Sequence, residues 1–143
     1  MLKVVLAYSS AVVGAFLLGS ILATQFILGN VQEMGMVVDL SVRLQATLHD
    51  LAGLAGSYLP LLAVAFLIAL PVTWGLRKVF PSRPVLLYVL AGAVAVITLH
   101  LVMKAALGIT GIAATRTVLG LLSQGVAGAL GGFLYWACIR KLA

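Results

Sequence analysis

Acidic residues are almost absent from this chain. Glu33, Asp39 and Asp50 are the only three in 143 residues, and all fall between positions 33 and 50. The long apolar stretches on either side hold no carboxylate. That excludes a proton-coupled exchanger built on an intramembrane acid, and a paired-aspartate membrane protease. Cysteine occurs once, at Cys138, so neither an intrachain disulfide nor Cys-x-x-Cys chemistry is available. Near the end of an apolar run, that thiol reads as a small hydrophobe facing lipid or another helix. No His, Cys, Asp or Glu cluster has metal-ligand spacing, so no metal and no cofactor is expected. The glycines of the last third follow no strand and are not a phosphate loop, and no Ser or Thr has a base nearby in sequence. The chain reads as non-enzymatic.

Apolar residues are what it has. They make up 64% of the sequence against 8% charged, with a mean hydropathy of +1.24. A soluble domain of this size leaves most residues at its surface and could not cover that surface with nine cations and three acids. The solvent for most of the chain is therefore lipid, and the net charge of +6 reports topology rather than nucleic-acid binding.

A hydrocarbon core of about 30 Å needs about 20 helical residues to cross it. Four segments qualify: about Val4–Leu28, Tyr58–Leu76, Val85–Leu107 and Thr117–Ile139. The expected fold is an all-α integral membrane protein, a single domain of four transmembrane helices in a bundle. The first segment resembles a signal peptide, with Lys3 before it and Ala23 after, but its apolar stretch is too long for a signal core and reads as a retained span. Lys3, Arg77, Lys78, Arg83, Arg140 and Lys141 collect on one side of the bundle, and the three acids lie on the other. The positive-inside rule then places both termini and the Arg77–Pro84 loop in the cytoplasm. Compact loops and this pattern suggest a bacterial inner membrane.

Residues 31–57, between the first two spans, are patterned rather than loop-like. Val37, Leu44, Leu51 and Tyr58 recur every seven residues with Leu40, Leu48 and Ala55 between them, which predicts an additional amphipathic helix broken near Gly53 and Gly56. Gln32, Asp39, Arg43 and Asp50 share another face. Asp39 and Arg43 are four apart, so an ion-pair cluster of Asp39, Arg43 and Asp50 is expected. One Arg against three acids is a poor match to lipid headgroups. The apolar stripe is therefore expected to pack on protein, as a docked helix or an extension of the second span.

Small residues recur at four-residue spacing in two spans: Ala7, Ala11, Ala15, Gly19 and Ala23 in the first, and Gly120, Gln124, Gly128 and Gly132 in the fourth. Ser123, Ala127 and Gly131 form a row beside the latter. In lipid such rails let backbones approach, either within the bundle or between copies. Three polar residues interrupt the apolar runs. His100 lies about 22 Å from Val85 by helical rise, and Lys104 one turn further, at a membrane boundary. Gln124 is alone in the deep part of its span, where it can bond across a helix pair. Thr98, Gln124 or an outer carboxylate are the expected partners of His100, while Lys104 is expected to extend its amine to the interface or, in the alternative, to pair with Asp39 or Asp50.

The function these features favour is a non-catalytic membrane protein whose partners are the bilayer and either itself, as a homo-oligomer, or another membrane subunit. The interaction surfaces would be the small-residue rails and residues 31–57. The competing reading is an oligomeric channel or transporter with His100, Lys104 and Gln124 along one path. A haem- or redox-associated anchor using His100 and His49 is a third.

Overall fold

In a computed structural model describing residues 1–142, the chain forms five α-helices and, among the described residues, no strand. They are α1 (Leu2–Glu33), α2 (Leu40–Ala55), α3 (Tyr58–Val79), α4 (Pro84–Leu107) and α5 (Val118–Leu142). A short 3-10 turn, Ala113–Arg116, precedes α5. All except α2 are long and apolar enough to cross a membrane.

The breaks between helices follow from local chemistry. Gly35, at φ +86, turns the chain after α1. Asp39 then caps α2, its Oδ1 accepting from the Val42 amide at 2.9 Å. Pro84 opens α4 at a position where no amide is needed. Gly108, at φ +65, closes it with a bond to the Lys104 carbonyl. Thr117 caps α5 through the Gly120 amide. Pro71 lies inside α3, leaving one carbonyl without its amide, an arrangement apolar helices tolerate where local groups compensate.

The long helices alternate in direction and close a ring in the order α1, α3, α4, α5, with α5 packed most extensively, against α1 and α4. Small residues permit that closeness. A Cβ on Gly92 would run into the Gly128 carbonyl, one on Gly128 into the Gly92 carbonyl, and one on Gly132 into the Tyr88 carbonyl. The adjacent row of α5 faces α1: a Cβ on Gly131 would lie 2.8 Å from the Ala11 carbonyl oxygen and 3.0 Å from the Ala15 Cβ. Ala7, Ala11, Ala15, Gly19 and Ala23 are all buried, as are Gly120, Gly128 and Gly132. Both small-residue rows are thus covered within one chain, and neither presents a free face to a second copy.

At about 1.5 Å per residue α1 is about 48 Å long, while α3, α4 and α5 run about 33–38 Å. The C-terminal third of α1 carries Thr24, Gln25 and Gln32, which need partners. Helix α2 folds back along it and supplies them. The Arg43 guanidinium donates to Gln25 Oε1 at 2.7 Å and to Gln32 Oε1 at 2.6 Å. Gln25 Nε2 donates to Thr47 Oγ1, and Thr24 Oγ1 donates to Asp50 Oδ2 at 2.7 Å.

This corrects the expected placement of α2. The docked surface is polar, and the upper apolar stripe points away from the protein: Val37 is 91% exposed, Leu40 73%, Leu44 57% and Leu48 67%. Only the lower turns, through Leu51, Leu54 and Ala55, pack on the core. Polar side chains on α1 dictated which face turned inward. The expected ion-pair cluster is replaced by separate contacts, because Asp39 caps its own helix while Arg43 and Asp50 bind α1. The break falls at Gly56, with Gly53 inside the helix.

Candidate functional site

The polar interior gathers where α1, α3, α4 and α5 meet, toward the end of the bundle that carries α2. Tyr58, the first residue of α3, is 3% exposed, His100 is 4% exposed and Gln124 fully buried. The Tyr58 hydroxyl donates to Gln124 Oε1 at 3.0 Å and lies 3.3 Å from His100 Nε2. Gln124 Nε2 donates to the Gly19 carbonyl at 3.0 Å. Gly19 must be small for this contact, since a Cβ there would lie 2.9 Å from Gln124 Oε1.

The proton positions follow from donor counting. A carbonyl only accepts, so the amide nitrogen of Gln124 faces Gly19 and its oxygen faces Tyr58. Tyr58 has one proton and gives it to Gln124. His100 must then donate from Nε2 to the phenol oxygen, which leaves Nδ1 with a bare lone pair. That atom is buried without a hydrogen-bond partner, as is Ser20 Oγ beside Gly19. Nitrogen-15 spectra of protein labelled at histidine are expected to show His100 protonated at Nε2 and bare at Nδ1. The reverse tautomer would break this chain of donors.

On the side away from α2 the cluster ends abruptly. One turn along each helix come Leu62, Val96, Ala15 and Ala127, with Phe66 a turn beyond, all fully buried. An apolar plug therefore lies between the polar cluster and the basic end of the bundle.

The three residues of the proposed path separate. His100 and Gln124 meet through Tyr58, whereas Lys104 is exposed and lines an open surface cavity of about 560 Å³ with Gly108, Ile109, Thr110 and Arg116. Neither Asp39 nor Asp50 turns toward it, since both are engaged at α1 and α2. His49 is exposed on α2, while His100 is buried with Nε2 on Tyr58, so the two imidazoles do not form an axial pair. Cys138 faces a helix, with Sγ 3.3 Å from Ser10 Oγ of α1.

Sequence reasoning missed Tyr58, the hub of the cluster, and the Gly19 carbonyl. A signal was present. Counting at about 1.5 Å per residue from the basic ends of the helices puts Gly19, His100 and Gln124 at about 24–27 Å, with Tyr58 a turn beyond at about 32 Å. A buried phenol at that depth needs a polar partner.

The architecture defines a class: all-helical, with four apolar helices of membrane-crossing length. No protein family, curated protein or solved structure matches the chain.

Proposed function

We propose that this is a non-catalytic integral membrane protein that assembles through α2, with a second copy of the chain as its partner. In this reading α1, α3, α4 and α5 span a bacterial inner membrane. The end bearing Lys3, Arg77, Lys78, Arg83, Arg140 and Lys141 faces the cytoplasm, by the positive-inside rule, and α2 lies outside.

The observation carrying the proposal is the reversed docking of α2. Its polar face is held on α1, which leaves Val37, Leu40, Leu44 and Leu48 uncovered. Lipid headgroups are a poor cover, because the only cation of α2, Arg43, already holds Gln25 and Gln32. A second α2 apposed about a two-fold axis covers the stripe with an identical one, and an isologous contact needs no other surface. Native mass spectrometry of mildly extracted protein tests this. A dimer is expected, reduced to monomer by Leu44→Glu with Leu48→Glu. A monomer from the unaltered chain would refute the reading, and a bound second subunit would assign α2 a different partner.

Transport is the alternative that the buried polar cluster favours. The apolar plug of Leu62, Phe66 and Val96 argues against a path through one chain. A liposome flux assay decides it: no passage of ions or small solutes by the unaltered protein is the expected result.

A further inference from the structure

A second cavity, of about 260 Å³, opens at the basic end of the bundle. Its lining comes from three helices: Arg77 in the last turns of α3, Pro84 and Tyr88 at the start of α4, and Trp136, Ile139 and Arg140 near the end of α5. The floor is aromatic and aliphatic. Charge enters from two guanidiniums on different helices, and the acidic residues of the chain all lie between positions 33 and 50, at the far end of α1, at the cap of α2 and within α2. The Arg140 guanidinium stands over the Trp136 ring, 5.3 Å from its centre, which places a planar donor fork beside an aromatic residue of the cavity. Lys78 makes the equivalent contact with Trp74, 3.9 Å from its ring, outside the cavity.

From this geometry we infer that the cavity is a site for one anionic phospholipid, its headgroup phosphate held between Arg77 and Arg140 and the start of its acyl chains lying against Tyr88, Trp136 and Ile139. Charge complementarity carries the inference. Two arginines from separate helices line a cavity whose described lining holds no acidic side chain, and arginine's fork matches a phosphate bidentately. The apolar floor distinguishes the ligand from a free anion, which would leave that surface exposed to water. Basic pockets between spanning helices are the geometry in which anionic headgroups are held. The inference rests on the membrane-spanning reading and is independent of the α2 interface.

Trp136 reports on its own cavity. In a Trp74→Phe background it is the only tryptophan, and lipids brominated on their acyl chains quench it on contact. The protein is reconstituted in phosphatidylcholine with either brominated phosphatidylglycerol or brominated phosphatidylcholine at the same mole fraction. Relative affinity is expected to favour the anionic lipid by about five-fold or more, from the attraction of each basic side chain near the headgroup. Arg77→Gln with Arg140→Gln is expected to bring the ratio close to one. Arg83→Gln, at the same end but outside the cavity, is expected to leave it unchanged. Because the ratio compares two lipids on one protein, the loss of Arg140 from the Trp136 face cancels. Equal quenching by both lipids would overturn the site. So would an Arg83→Gln effect as large as that of Arg77→Gln, which would mean a diffuse surface potential. Release by excess inorganic phosphate at constant ionic strength would assign the arginines to a soluble anion and also overturn it. Monomeric unaltered protein that keeps the lipid ratio would refute the α2 interface alone, and a dimer quenched equally by both lipids would refute the lipid site alone.

Discussion

Gly128→Leu is expected to destabilise the fold more than any other single substitution considered. A β-carbon at position 128 already collides with the Gly92 carbonyl, which belongs to backbone and cannot rotate away. Val96 Cγ2 lies 2.7 Å from the same point, so the side chain has no second route. Relief requires α4 and α5 to separate along the contact where Gly92, Gly128 and Gly132 interlock. Overpacking a core costs about 1–3 kcal/mol when side chains can shift, and here backbone must move, so on the order of 3 kcal/mol or more is expected. Thermal unfolding in mild detergent measures it. Gly53→Ala is the control, because nothing lies within 4 Å of the added methyl and the residue sits inside α2. It is expected to be neutral or to stabilise by about 0.5–1 kcal/mol. Unchanged melting of Gly128→Leu with an altered assembled mass would mean the glycine row faces another chain.

Removing Gln124 has the second-largest expected effect. Gln124→Leu roughly keeps the volume but leaves the Tyr58 hydroxyl proton without its acceptor and takes a donor from the Gly19 carbonyl, both in a buried setting. Bonds of this kind between apolar helices average about 0.6 kcal/mol and reach about 1.7, and a buried polar group left unpaired costs about 1–3. A loss of about 2 kcal/mol follows. Tyr58→Phe strands the other side of the same contact, leaving Gln124 Oε1 without a donor and His100 Nε2 without its acceptor. The double variant is therefore expected to lose less than the sum of the two, by about 1 kcal/mol. Strict additivity would show that the three side chains do not act as one network.

The extents of the long helices were legible because apolar length and proline or glycine stops act locally. The start of α3 at Tyr58 and the end of α4 at Leu107 fall where the hydropathy places them, whereas α1 runs five residues past Leu28, to Glu33. That extension is stabilised by contacts with α2, which no local pattern encodes. The inversion of α2 has the same origin. Periodicity found its stripe, but the side that turned inward was decided by Thr24, Gln25 and Gln32 on another helix. Of the candidate polar site, His100 and Gln124 stood out as lone polar residues in apolar runs. Tyr58 did not, because a tyrosine at the end of a stripe counts as apolar until its hydroxyl is asked for a partner. Lys104 was separable from His100 by depth alone.

Cysteine cross-linking across α2 in native membranes tests the central claim most directly. In a Cys138→Ser background, cysteine is placed singly at Val37, Leu40, Leu44 or Leu48, and at Val94 on the exposed face of α4 as a control. Mild oxidation is expected to give a disulfide-linked species of twice the chain mass from at least one of these four positions on or just before α2 and none from Val94. Monomer alone from all four positions, or a Val94 cross-link as strong as the best of them, would contradict the account.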